Sequence, residues 1–142
     1  MLLVKTFLAP SRIHGIGLFA AQRIPRGTVV WRLHPAIDLE LADSELDGLA
    51  EPAREQIRKY TYVDLVSRTR VLCGDDARFF NHDDHPNCHD LPDAEGGKTV
   101  AARDISEGEE LTSDYASFDA EHVPYGTESR AGACPPPGGQ VK

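Results

Sequence analysis

Apolar residues recur along this chain in short clusters broken by glycine, proline or acidic residues, and almost nowhere with the three-to-four spacing of a long helix. Leu2-Leu3-Val4 and Phe7-Leu8 predict a first strand, closed by Pro10-Ser11. Gly15 and Gly17 predict a turn, Leu18-Phe19-Ala20 a second short strand, and Pro25-Arg26-Gly27 a turn before a strand from Thr28 to Leu33. Two helical pieces follow. Asp43 or Ser44 caps the first, which ends near Gly48; Pro52 opens the second, which runs to about Tyr60, because a first helical turn does not need the N–H that proline lacks. Val63 to Cys73 predicts extended structure with a polar interruption. Residues 81–97, rich in Asp, Glu, Pro and Gly, predict a loop; Lys98 to Arg103 and Glu110 to Tyr115 predict strands around the turn Ser106-Glu107-Gly108. Beyond Phe118 the apolar pattern fades, and Cys134-Pro135-Pro136-Pro137-Gly138-Gly139 predicts a disordered tail. Many short strands, closely spaced turns and a small helical insert predict a mostly-β, α+β fold.

Length and charge narrow the picture. A chain of 142 residues suits one domain with a modest core. Fifteen basic against 23 acidic side chains leave a net charge of −8, which argues against nucleic acid, whose phosphates need a basic face. The same charge suits a basic protein or peptide as partner, although acidity is also a common route to solubility. Three cysteines (Cys73, Cys88, Cys134), without a CxxC pair, build neither a disulfide framework nor a thiolate zinc site. No apolar run reaches the roughly 18 residues of a membrane span, and the start, interrupted by Lys5, lacks a signal-peptide cleavage site. A soluble cytoplasmic protein is the expectation.

Two segments carry candidate chemistry. Gly15-x-Gly17-x-x-Ala20, with Asp38 downstream, fits a dinucleotide fingerprint in outline. That reading needs a helix after the glycines, and Pro25 and Gly27 come too soon. Read alone, the segment is a tight turn whose glycines let the main chain approach a ligand. His82, Asp83, Asp84, His85, Cys88 and His89 crowd potential metal ligands together, and a metal-dependent hydrolase using His82 to His89 is one alternative. Pro86 breaks the helix those ligands would share, and no second cluster completes the set.

Taken together and in order, Gly15-Ile16-Gly17-Leu18-Phe19, Arg78-Phe79-Phe80-Asn81-His82-Asp83-Asp84-His85-Pro86-Asn87-Cys88 and Glu109-Glu110-Leu111-Thr112-Ser113-Asp114-Tyr115 resemble the SET-domain family of protein-lysine methyltransferases. The resemblance covers about residues 12 to 119. It implies a SET-like β-clip of several small sheets with a knot-like chain crossing, a domain over residues 1–119 and a flexible tail over 120–142. It implies S-adenosyl-L-methionine as cofactor and a lysine ε-amine of a protein as acceptor. The backbone around Ile16, Gly17 and Phe19 would lie against the methionine half of the cofactor. Asn81 would bind its amino-acid end or adenine through the amide. The His82 backbone would contact the adenine, while its ring pins the crossing. Tyr115 would orient the amine at the channel floor and face the methyl; Tyr62, rather than Tyr60, would be the second channel tyrosine; and Phe118 would lie over the adenine or act as a hydrophobic plug. Asn87 would hold its own loop.

The sequence departs from the family pattern where its Ser and Cys are replaced by Asp83 and Asp84. With only Cys134 beyond the domain, the family's C-terminal zinc cluster cannot be built. Phe118, the tail or a second copy of the chain must then close the lysine channel, so a homodimer is one possibility. Two carboxylates beside a cofactor loop also admit an alternative: a cofactor-binding module without catalysis.

Overall fold

The computed structural model describes residues 1–92 and 97–122. Among the described residues, four small sheets carry the fold. β1 (Thr6–Pro10) and β2 (Ile16–Ala20) form an antiparallel hairpin. β3 (Val29–Arg32), β9 (Lys98–Ala101) and β8 (Cys88–Leu91) form one three-stranded antiparallel sheet. β4 (Leu39–Leu41), β6 (Arg70–Leu72) and β5 (Thr61–Val63) form another. The fourth pairs β7 (Asn81–His82) with β10 (Thr112–Ser113) in parallel, with Asn81 opposite Thr112 and His82 opposite Ser113. Two helices, α1 (Asp43–Leu46) and α2 (Glu51–Tyr60), fill the insert between β4 and β5. The mostly-β architecture of small sheets expected from the short apolar clusters is what forms.

Several boundaries differ from the sequence expectation for identifiable reasons. The first strand starts only at Thr6, because Leu2 is taken by a bridge to Trp31. Asp43 is inside α1 rather than its cap: Ala42 occupies the cap and its N–H donates to Glu45 Oε2 at 2.7 Å, while the Asp43 carboxylate accepts from the buried Arg70 guanidinium at 2.9 Å. The stretch 81–97 is not all loop. Its Cys88-His89-Asp90-Leu91 portion pairs with Ala101 back to Lys98, so tertiary pairing overrides a polar composition. Tyr115 does not end a strand; it opens a 3₁₀ turn, Tyr115–Ser117, capped by Asp114, whose carboxylate accepts from the Ala116 N–H at 3.0 Å. A second such turn, Asp76–Phe79, leads into β7. Most of the expected tail lies outside the described residues.

One core joins the sheets. Leu18, Ile24, Val30, Ile105 and Leu111 have no exposed surface, and burying each such side chain contributes roughly 1.5–3 kcal/mol. Among the described residues no helix is long and apolar enough to cross a membrane.

Asn87, 3% exposed, ties the loop after β7 to the approach to β10. Its Oδ1 accepts from the Thr112 N–H at 2.9 Å, its Nδ2 donates to the Glu110 carbonyl at 2.7 Å, and its own N–H donates to Thr112 Oγ1 at 3.1 Å. Asn87→Ala strands a buried donor and a buried acceptor, and should cost about 2–4 kcal/mol. Urea denaturation checks this: the midpoint falls with an unchanged slope.

Candidate active site

The parallel crossing of β7 and β10 brings the three sequence blocks together. On one side stands the glycine strand. Asn81 is 8% exposed, and its Nδ2 donates to the His14 carbonyl at 3.1 Å, the Ile16 carbonyl at 3.3 Å and Glu110 Oε1 at 2.8 Å. All of its donor capacity is therefore turned into the protein, and its Oδ1 is left as the acceptor for anything bound outside. Glu110 completes the knot of contacts: Oε2 accepts from Ser11 Oγ at 2.9 Å, and its main chain bridges Phe19. A Cβ on Gly17 would stand 2.2 Å from Glu110 Oε1, so only glycine lets the strand and the carboxylate approach this closely. Phe19 stacks on Phe7 at 5.6 Å, and Ile16 is 51% exposed.

On the other side is a cavity of about 240 Å³. Tyr62, Phe80, Tyr115 and Phe118 line it. Phe118 meets the Tyr62 ring edge-on at 4.9 Å and the Tyr115 ring at 5.6 Å. The volume is below the roughly 300–1,000 Å³ of sites that enclose a whole small molecule, so it matches a side chain better than a nucleoside. Tyr115 donates its hydroxyl hydrogen to the Phe80 carbonyl. Burial, reinforced by Asp119 and Asp90, pushes its phenol up to about 12. At neutral pH it is thus an un-ionised hydroxyl with a lone pair to offer, not a phenolate base. Burial also pushes the Tyr62 phenol upward. Tyr60 joins Tyr62 in lining the cavity, from the last position of α2 and with its ring on Phe79.

His82 links the halves. Its Nδ1 accepts from the Tyr115 N–H at 3.2 Å, which leaves the proton on Nε2, 3.1 Å from Asp84 Oδ1. Asp84 therefore orients a histidine. Asp83 accepts from the His85 N–H at 2.8 Å, and its own N–H donates to the Ser113 carbonyl at 3.1 Å. Both substituted aspartates are engaged within the loop itself.

The other readings of the sequence find no such geometry. Among the described residues no group of three His, Cys, Asp or Glu side chains could hold a metal ion, so the His82–His89 hydrolase has no centre there. The glycines lead into a strand, not a helix, and the Asp38 carboxylate is occupied by the N–H groups of His34 (2.8 Å) and Gly74 (3.2 Å). Cys73 and Cys88 are buried, and burial pushes both thiols up to about 12, which removes them as nucleophiles.

Sequence reasoning gave no role to Glu110, Asp90 or the Phe80 carbonyl. Glu110 lies in a quoted motif, but nothing in its spacing shows that it faces Gly17. Asp90 sits in a segment whose acidity hides a strand.

Comparison with known proteins gives the family and the fold. Residues 15–116 match the family described as SET domain. The chain is 34% identical over 126 residues to the "Histone-lysine N-methyltransferase, H3 lysine-4 specific" of Schizosaccharomyces pombe, covering 81% of this chain and 13% of that protein. It is 31% identical over 125 residues to the histone-lysine N-methyltransferase trr of Drosophila melanogaster (82% of this chain, 5% of that one) and 32% identical over 127 residues to human histone-lysine N-methyltransferase 2D (82% and 2%). The chain thus spans a small fraction of these relatives. A crystal structure of a Plasmodium falciparum candidate histone methyltransferase shares the fold, with a TM-score of 0.58 and 16% identity over 80% of this chain and 95% of that one.

Proposed function

Since the chain belongs to the SET-domain family, we propose that it transfers a methyl group from S-adenosyl-L-methionine to a lysine ε-amine in a basic protein segment. The observation that carries this reading is the crossing itself. Asn81, clamped to the glycine strand, and Phe80, whose carbonyl accepts from the Tyr115 hydroxyl, are neighbours in the chain, so one short stretch joins the glycine strand to the side-chain cavity.

The residues present fit the cofactor. The free Oδ1 of Asn81 is an acceptor for an α-ammonium group, and because Nδ2 is consumed inside, the amide suits the cofactor's amino-acid end rather than the paired donor and acceptor of adenine. The main chain at Ile16 is tied to that position, since its carbonyl accepts from Asn81 Nδ2 at 3.3 Å. When bound, the cofactor supplies a methyl on a positively charged sulfur. The protein's contribution is alignment and dryness. Tyr62, Phe80 and Phe118 exclude water around the amine, which favours its neutral form over a reference pKa of about 10.4. The Tyr115 oxygen, fixed by Phe80, accepts a hydrogen bond from that amine and holds its lone pair in line. His82 fixes Tyr115 from behind through the main-chain N–H.

The net charge of −8 favours a basic substrate segment, and the names of the relatives make the amino-terminal tail of histone H3 the first substrate to try. The alternative of a cofactor-binding module without catalysis arose from Asp83 and Asp84. Those carboxylates are held within their own loop by His85 and His82, and cofactor binding without methyl transfer would favour that alternative.

The test has two arms. Calorimetry with S-adenosylmethionine should show binding, weakened about 10-fold or more by Asn81→Ala, since a lost charge-assisted contact is worth about 1.5–3 kcal/mol. Labelled methyl should pass to histone H3. A protein that neither binds the cofactor nor labels any histone would refute the assignment.

A further inference from the structure

A short segment that follows the Tyr115 turn is pinned to the edge of β5. Asp119 meets Asp64 in an antiparallel bridge, which carries the β4-β6-β5 sheet one step further. Beside it the Leu65 N–H donates to the Phe118 carbonyl at 3.2 Å, and the Ala120 N–H to the Val63 carbonyl at 2.8 Å. Asp119 Oδ1 accepts from the Val63 N–H at 3.1 Å and from the Glu121 N–H at 3.0 Å, so one carboxylate oxygen holds both sides of the bridge.

Arg70 of β6 fixes the far end. It is 3% exposed, and its Nη2 donates to Glu121 Oε1 at 3.0 Å, its Nε to Asp43 Oδ1 at 2.9 Å and its Nη1 to Thr61 Oγ1 at 3.3 Å. One buried cation thus joins α1, β5 and the segment beyond Tyr115. The planar fork of a guanidinium reaches three partners at fixed angles, which a lysine ammonium on a flexible stem does not do.

What this clamp holds is Phe118. Its ring lies edge-on to Tyr62 at 4.9 Å and to Tyr115 at 5.6 Å, and it lines the cavity with them. With its carbonyl bonded to Leu65 and its neighbour bridged to Asp64, the residue leaves the cavity only if the pairing with β5 opens. None of these contacts reaches the Asn81 amide, so the clamp governs the side-chain cavity and not the proposed cofactor contacts.

We propose that Asp119 and the Arg70–Glu121 pair are positioning residues for methyl transfer, which close the lysine cavity by seating Phe118 against Tyr62. The inference rests on the methyl-transfer reading above and deepens it. It also gives the cavity a wall built by the chain's own side chains, at the place where the family's zinc cluster cannot form. A loosened wall admits water, and water favours the charged amine, which has no lone pair to take the methyl.

Three measurements on the full chain test it. The first needs no substrate. Trp31, the one tryptophan of the chain, is 6% exposed and lines the same cavity, so acrylamide quenching of its emission reports how well the wall is shut. Quenching should rise about twofold or more in Phe118→Ala, Asp119→Ala and Glu121→Ala. The second is labelled methyl transfer to a histone H3 amino-terminal peptide at about pH 7.5. The rate should fall about 10-fold or more in Asp119→Ala and about 3-fold or more in Glu121→Ala, with S-adenosylmethionine affinity within about twofold of wild type. Asp119→Asn, which keeps the acceptor oxygen, should recover most of the rate. Both Asp119 variants lose the charge, so the difference between them belongs to the two N–H bonds. The third is the pH profile. A wetted amine returns toward its reference value of about 10.4, so the deficit of Glu121→Ala should shrink at about pH 9.5. Unchanged quenching and rate in Asp119→Ala and Glu121→Ala overturn the inference, as does a rate loss equal at both pH values with Trp31 no more quenched. A wild type that labels no histone refutes the methyl-transfer reading and this inference with it, whereas transfer by the wild type with unaffected variants overturns this inference alone. Should Asp119→Ala fail to fold by circular dichroism, Glu121→Ala, whose side chain is 57% exposed, carries the same test.

Discussion

Replacing Tyr115 by phenylalanine should slow methyl transfer by about 100- to 1,000-fold while S-adenosylmethionine affinity changes by less than about threefold. The magnitude is that of removing one preorganised polar group aimed at the reacting atoms, about 2.7–4 kcal/mol. The separation of effects follows from the layout: Tyr115 faces the cavity, whereas the proposed cofactor contacts centre on Asn81 and Gly17. The ring is retained, so the packing against Phe118 and His82 survives. The Phe80 carbonyl loses its donor, which should lower stability by roughly 1–3 kcal/mol. Single-turnover transfer of labelled methyl, with calorimetry of cofactor binding alongside, checks both halves. A variant within threefold of wild-type rate would show that the hydroxyl holds Phe80 and nothing more.

The second large effect belongs to a single methyl group. Gly17→Ala places a carbon 2.2 Å from Glu110 Oε1 and 3.1 Å from the Ser11 side chain. Glu110 is a flexible side chain, but it is not free to swing, since it accepts from Asn81 at 2.8 Å and Ser11 at 2.9 Å. Relieving the overlap breaks one or both bonds and lets the Asn81 amide turn. We expect a stability loss of about 1–3 kcal/mol and a loss of cofactor affinity of 10-fold or more, with the chemical step less affected in protein saturated with cofactor. Thermal unfolding and calorimetry measure the two. If stability falls while affinity holds, Gly17 serves only the packing of the hairpin.

How far the sequence could be read divides along a physical line. Contacts set by local geometry were legible: the turn at Pro25-Gly27, the helix opened near Pro52 and the strand–turn–strand around Ser106-Glu107-Gly108 follow from backbone preferences within a few residues. Motif order also made Gly17, Asn81 and Tyr115 legible as candidates. What stayed hidden depends on residues far apart in the chain. Nothing near Glu110 announces Gly17 or Ser11, and nothing near Asp90 announces Thr99. Likewise, Cys88-His89-Asp90-Leu91 carries no alternating apolar pattern, because one face of β8 meets the core through Cys88 while Asp90 borders a cavity. The placement of Tyr115 on a 3₁₀ turn was missed since the cap comes from Asp114, a residue equally at home ending a strand.

The parallel pairing of Asn81-His82 with Thr112-Ser113 has a kinetic consequence. Closing it encloses a loop of some thirty residues, and the Ser11–Glu110 bond spans 99 positions, so chain entropy must be surrendered before these contacts return anything. Refolding should therefore be slow for so small a domain. During synthesis the amino-terminal hairpin must wait for nearly the last described residues to leave the ribosome before the two ends can meet.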